Sequence, residues 1–283
     1  MKAVLCKSLV GPSALKLETL EDPEASPDEV IVAVEACALN FFDTLITRGK
    51  YQFKPDLPFS PGGEIAGRII EVGSNVAGWK LGDRVTAYIG WGGAREKIAV
   101  TPERLVAIPQ GVSSEAASAT SITYGTAIHG LRDRAGLQSG DRVAVLGASG
   151  GAGLAAVELA SAMGARVIAV ASSEEKLHVC RQHGAEQTVD YATSDLKSSL
   201  RALTCGRGVD IVYDCVGGES SEAALRAMAG GGRFLVVGFA SGDLPRFPLS
   251  LLVLMGCAAI GVVWGAAVKR VPGGLGAHVG SGW

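Results

Sequence analysis

The stretch RVAVLGASGGAGLAAVELASAMGARVIAVASSEEK, residues 142–176, decides the fold. An apolar run, 142–146, ends in a cluster of glycines, and a helical pattern with Leu154, Val157, Leu159 and Ala160 follows. A second apolar run, 166–171, completes the unit. Strand, tight turn, helix and strand in this order make a mononucleotide-binding βαβ unit. The turn itself, Ala148, Ser149, Gly150, Gly151, Ala152 and Gly153, reads A-x-G-x-x-G, with alanine at the first glycine position of the usual fingerprint. Gly150 lets the backbone approach a pyrophosphate, and Gly153 lets the helix pack closely on the strand. The helix N-terminus then offers free N–H groups to the anion.

The end of the second strand selects the cofactor. A site for NAD needs an acidic group there to bind the ribose hydroxyls. This strand ends Ala169-Val170-Ala171-Ser172 without a carboxylate, and Ser172, Ser173 and Lys176 offer hydroxyls and a positive charge instead. Such groups hold a 2′-phosphate that a carboxylate would repel, so the expected cofactor is NADPH. Ser172-x-x-Glu175 also reads as a helix capping box, and the two roles are compatible at one helix start.

Working outward, further strands are expected at 187–190, 210–213, 233–238 and 257–264, with helical segments between most of them. Six strands alternating with helices form a doubly wound parallel sheet, an α/β architecture, over residues 111–268. Loops at the strand C-termini border the binding crevice of such a sheet. This makes Tyr191, Gly217, Gly238 and Phe239 further cofactor candidates, although glycine turns and a packed tyrosine also occur there for purely structural reasons. Residues 1–110 are β-rich, with short apolar runs bounded by Gly, Pro, Asp and Asn, and suggest a compact barrel or sandwich. The segment 269–283 is Gly-rich and unpatterned, and is expected to be irregular.

Bulk properties remove several function classes. The 283 residues carry a net charge of −2 and no long basic run, which excludes an electrostatic case for nucleic acid or an anionic membrane. The six cysteines are scattered without a C-x-x-C pair, as expected in a reducing, cytoplasmic compartment. Residues 249–268 contain no charge until Lys269, a length that could span a bilayer. With Pro245 and Pro248 at its entrance and Gly256 inside it, the run reads instead as a short buried helix followed by a strand. That last strand, long and apolar at the sheet edge, would be hidden by pairing with a second copy.

Taken together, ALNFFDTLITRGKYQFKPDLPFSPGGEIAG, SITYGTAIHGL, VLGASGGAGLAAVELA and VYDCVGG resemble the zinc-free quinone oxidoreductase branch of the medium-chain dehydrogenase/reductase superfamily. The resemblance runs in order from residue 1 to about 268. It implies a GroES-like catalytic domain followed by a Rossmann domain, with the active site in the cleft between them. It also implies Asn40, Asp43 and Tyr51 as the catalytic lining, and Thr126 near the nicotinamide ribose. Zinc-dependent relatives carry a cysteine and a Gly-His-Glu where this chain has Asn40 and Gly63, so no metal is expected. Glu64 then reads as a buried structural carboxylate, bound to an arginine or to backbone N–H groups. His178, Cys180 and His183 are metal-like residue types, but their spacing turns them to different helix faces, and they read as solvated.

The implied reaction passes hydride to a quinone or to the β-carbon of an enone, with a proton from Tyr51 or water. The nearest alternative chemistry is reduction of enoyl or alkenal double bonds. The family pattern also gives way to Gly-rich sequence near Lys269, where relatives return to the catalytic domain. A shortened catalytic domain, with NADPH binding and little turnover, is therefore the other expectation.

Overall fold

The computed structural model describes residues 1–270. They form two compact units, Met1–Ile122 with the described residues from Gly265, and Thr123–Trp264.

In the first unit β1 (Lys2–Leu5) and β2 (Lys16–Thr19) make an antiparallel pair. A five-stranded antiparallel sheet follows, built from β3 (Val30–Ala38), β4 (Glu64–Val72), β5 (Arg84–Tyr88), β6 (Lys97–Val100) and β7 (Leu105–Ala107) in the order β6-β3-β4-β5-β7. Val30, Val32, Ile65, Ile69, Val85 and Ala87 meet in one core. A helix α1 (Phe41–Ile46) sits between β3 and β4 in sequence. A second helix, α2 (Ser114–Ser118), packs on β3, β4 and β5. The sequence divides near residue 110, but α2 covers strands of the first unit and the compact division falls after Ile122. At Gly67, a Cβ would lie 2.0 Å from the Ala33 carbonyl oxygen, so glycine permits the close β3–β4 approach at this point.

The second unit holds a six-stranded parallel sheet. Its elements are α3 (Thr123–Ile128), β8 (Arg142–Leu146), α4 (Gly151–Ala162), β9 (Arg166–Ala171), α5 (Glu174–Gln182), β10 (Gln187–Asp190), α6 (Leu196–Leu203), β11 (Val209–Asp214), α7 (Glu219–Leu225), β12 (Met228–Val236), α8 (Leu249–Met255) and β13 (Ala258–Gly261). The strand order β10-β9-β8-β11-β12-β13 reverses direction of growth between β8 and β11, the topological switch point of a Rossmann fold. Alternate strand residues feed two cores. Val143, Val145, Ile211 and Tyr213 join Ala156, Val157 and Ala160 of α4 on one face. Ala144, Leu146, Val212 and Phe234 join Leu200 of α6 and Leu225 of α7 on the other. Burial on both faces is why these strands read as continuous apolar runs.

Gly256 ends α8 in the left-handed conformation (φ 61°) and so splits the uncharged run. The expected burial is corrected: α8 has no fully buried residue, Val253 and Leu254 are exposed, and Ala258 and Ala259 are exposed because β13 lies at the sheet edge. Among the described residues no helix is long and apolar enough to cross a membrane. The sixth strand is shorter than the sequence suggests, stopping at Gly261. Trp264 instead opens α9 (Trp264–Arg270), its indole packed into the room left by Gly125, where a Cβ would lie 2.5 Å from the ring. Helix α9 carries the backbone through Lys269 and Arg270, the first residues of the segment expected to be irregular. The remainder, 271–283, lies outside the described residues.

Gly67→Ala tests the sheet contact. Its added methyl forces β3 and β4 apart at a cost of about 1–3 kcal/mol, read as a lower urea midpoint with an unchanged slope.

Candidate functional site

The glycine turn after β8 has the geometry its sequence calls for. Gly147 takes φ 71°, and its N–H and that of Ala148 both donate to Val170 O of β9, at 3.1 and 3.2 Å. Gly150 N–H donates to Gly147 O (3.0 Å), closing the turn, and Gly150 caps α4. A Cβ at Gly153 would lie 2.1 Å from Gly147 O, so α4 rides directly on the loop. Ala148 is buried, while Gly150 and Gly151 are exposed with open space or only ordinary contacts where a side chain would stand. Ser149 and Ala152 are partly buried beside them. The result is a cradle of backbone at the N-terminus of a twelve-residue helix, suited to an anion.

At the end of β9 one sequence expectation is corrected. The N-cap of α5 is Ser173, whose hydroxyl accepts the Lys176 N–H, so Ser172-x-x-Glu175 is not the capping box. Two adjacent serines compete for the cap, and the helix starts at Glu174. The Ser172 hydroxyl instead accepts the Lys176 ammonium at 2.8 Å. Tyr191 lies just past β10, half-exposed, with its N–H bonded to Ala171 O of the same neighbourhood. Thr126 stands on α3, partly buried.

The loops after β11 and β12 share one organiser that the sequence reading did not single out. Asp214, 1% exposed, accepts Val216 N–H (2.8 Å), Gly217 N–H (3.0 Å) and the Ser221 hydroxyl through its carboxylate. Its backbone carbonyl accepts Val237 N–H and Gly238 N–H. One buried residue thus sets Gly217 and Gly238, and Phe239, half-exposed, lies beside Gly217. The signal was present in VYDCVGG as an aspartate at a strand end, followed by positive-φ glycines.

In the first unit, Asn40 and Asp43 begin α1. Asp43 Oδ2 accepts the Asn40 N–H and Oδ1 accepts the Gly62 N–H, both at 2.8 Å. Asn40 Nδ2 donates to Glu64 Oε1 (2.9 Å), and Ile122 N–H donates to Oε2 (2.8 Å). Glu64 is wholly buried, as expected, and its partners are a carboxamide and backbone rather than an arginine. Burial drives its carboxyl up to about 7, against those hydrogen bonds. Burial likewise raises Asp43 above its ordinary value, against the hydrogen bonds from the Asn40 and Gly62 N–H groups. Tyr51 stacks near Phe42 (centroids 5.5 Å) and Phe53 (6.1 Å), and burial raises its phenol. Tyr88, paired in register with Glu64, is pushed up to about 12 by burial and the neighbouring Tyr51.

These groups do not fit zinc. Both Asp43 oxygens and both Glu64 oxygens accept N–H bonds, Asn40 supplies a carboxamide, and burial pushes the Cys37 thiol up to about 12. Among the described residues no group of three His, Cys, Asp or Glu side chains could hold a metal ion. Cys180, read as solvated, is fully buried in the core under α5. His178 bonds Gln182, and His183 bonds Glu158, which also takes the Tyr124 hydroxyl.

Residues 26–110 match the family described as alcohol dehydrogenase GroES-like domain, and residues 151–276 match zinc-binding dehydrogenase. A quinone oxidoreductase-like protein 2 homolog of Nematostella vectensis is 41% identical over 96% of this chain and 74% of its own length. The quinone oxidoreductase of Thermus thermophilus, solved also with NADPH, is 36% identical, with TM-score 0.84 over 99% of this chain and 85% of that one. The CurK enoyl reductase structure is 27% identical, with TM-score 0.88 over 99% and 86%.

Glu64 predicts a pH dependence of stability. Its folded value near 7 stands above the ordinary 4.5, so the folded chain keeps a proton that the unfolded chain releases. The stability from this group is whole at low pH and is lost as pH rises through 7. Urea unfolding at about pH 5 and about pH 8 should differ by about 2–3 kcal/mol from this source, and Glu64→Gln should flatten that slope.

Proposed function

The chain belongs to the quinone oxidoreductase branch of the medium-chain dehydrogenase/reductase superfamily, and we propose that it reduces a quinone or another activated carbonyl acceptor at the expense of NADPH. The observation that carries the cofactor is the pairing of Lys176 with Ser172 at the end of β9, where a carboxylate would stand for NAD. NADPH supplies a hydride at its nicotinamide ring when bound. The cradle Ser149–Gly153 takes its pyrophosphate. Ser172, Ser173 and Lys176 take the 2′-phosphate, with Tyr191 beside the adenosine. Thr126, Gly217, Gly238 and Phe239 serve the nicotinamide end. A NADPH-complexed relative supports this assignment.

In the first unit, Asn40 and Tyr51 receive the acceptor. The Tyr51 hydroxyl, kept protonated by its burial, donates a hydrogen bond or a proton to the reduced oxygen. Asp43 has both oxygens committed to backbone N–H groups and is assigned to holding the Asn40 turn rather than to the acceptor itself. A second reading, reduction of an enoyl double bond, is favoured by the similarity to the CurK enoyl reductase. A chain that binds NADPH without turnover is the third. The six free cysteines suit a reducing cytoplasm. The edge strand β13, with Ala258, Ala259 and the α8 residues Val253 and Leu254 exposed, is proposed to pair with a second copy. A monomer in sedimentation velocity at micromolar concentration would remove that pairing.

NADPH oxidation with 1,4-benzoquinone is expected to exceed that with a 2-alkenal; the reverse order makes the chain an enoyl reductase, and tight binding without oxidation of either selects the third reading. Lys176→Ala should weaken NADPH binding by about 10- to 100-fold, the loss of a charge-assisted bond, and leave NADH unaffected. Tyr51→Phe should lower kcat by about 100-fold if the phenol donates the proton, and full retained turnover would assign the proton to water.

A further inference from the structure

Glu64 is a fully buried carboxylate whose hydrogen-bond partners are unequal in kind. Ile122 N–H and a Ser121 N–H can only donate to it, whereas the Asn40 carboxamide carries a donor at one end and an acceptor at the other. With Glu64 ionised, Asn40 has one allowed orientation. Turned over, its Oδ1 would face Oε1 at 2.9 Å, acceptor against acceptor. With Glu64 protonated, the new O–H needs an acceptor in a site closed to water, and among these partners only the carboxamide oxygen provides one.

We propose that Glu64 is a positioning residue that sets whether the Asn40 carboxamide has a donor free for the acceptor: ionised, it holds Nδ2 while Oδ1 caps the Asp43 N–H; protonated, it bonds Oδ1 and releases Nδ2–H as a donor, the Asp43 N–H keeping the Asn40 carbonyl. This rests on Asn40 receiving the acceptor, as proposed above. Reduction of a carbonyl needs a donor at the oxygen where charge develops, so the protonated arrangement is the productive one. No covalent bond changes in the turn; a single proton moves between solvent and Glu64.

The groups around Glu64 divide into one that shares its charge and two that stay neutral. Asp43 on α1 bears on it with like charge and has its two oxygens filled by backbone N–H bonds. Cys37 on β3 and Tyr88 on β5 are each pushed up to about 12, so both stay neutral through the range where Glu64 titrates. Arg104 acts on Tyr88 from beyond β6. Glu64 itself lies near 7, inside the working range of a cell.

The decisive experiment reads the carboxamide itself. In protein labelled with 15N at asparagine side chains, the Asn40 signals, identified by their loss in Asn40→Ser, are followed from about pH 5.5 to about pH 8.5. They should shift with a midpoint near 7 and should stay still in Glu64→Gln. Wild-type protein labelled with 13C at glutamate carboxyls gives the same midpoint for Glu64 without relying on that variant to fold. Asn40 signals that do not move overturn the proposal. In turnover, kcat/KM for the quinone should fall about tenfold per pH unit above the midpoint, and Glu64→Gln should remove the fall. A merely structural role would instead lower activity evenly at every pH, which also overturns it. Titrating Asn40 signals in a protein without quinone turnover at any pH uphold the control of the carboxamide by Glu64 and defeat the reductase reading on which its use toward an acceptor rests.

Discussion

Between the Gly147 carbonyl and the backbone of Gly153 there is no room for a side chain; a Cβ at 153 would sit 2.1 Å from that oxygen. This contact governs the second unit. It lets α4 begin on top of the turn, so its N-terminal N–H groups open where β8 ends. The same turn gives two N–H bonds to Val170 O and locks β9 beside β8 at the loop level. Ser172 and Lys176 follow within a few residues, and so their position is also inherited from the turn. A larger residue at 153 would therefore disturb helix, strand and anion cradle together.

The first unit is governed by another close fit. Glycines at 62 and 63 stand where a Cβ would strike Cys37 Sγ at 2.3 Å or the Phe42 ring at 2.4 Å. Beside them lie two buried carboxylates, Asp43 on α1 and Glu64 at the start of β4. Each is satisfied by N–H donors, yet each is left reluctant to ionise. Buried acids held by neutral donors lower stability and persist where they order a neighbour. Here the ordered neighbour is Asn40, whose backbone is held by Asp43 and whose side chain is held by Glu64.

The sheet of the second unit was legible because strands buried on both faces become uninterrupted apolar runs, and β8, β9 and β10 appear at the expected residues. The sixth strand was overextended because Trp264 reads equally well as the end of an apolar strand. Only its fit against Gly125, far away in sequence, makes it the start of a helix. The helix start at Ser173 slipped by one residue since two serines offer the same cap chemistry. In the candidate site, the turn 148–153 was visible as local pattern. The partners of Glu64 were not, because they arrive from 24 and 58 residues away. Asp214 lies in VYDCVGG at a strand end, but its role needs three donors that fold back on it from its own loop and from α7.

The Ser172–Lys176 bond lies on the surface, outside both cores of its unit. Exchanging either side chain therefore removes no packing and leaves no buried group unpaired. In an evolving lineage, the cofactor preference proposed for this pair can then drift or be reselected by one or two base changes while folding stays untouched. The Gly147–Gly153 contact has no such freedom. The same loop thus joins a part that natural selection can rewrite cheaply to a part that it must conserve.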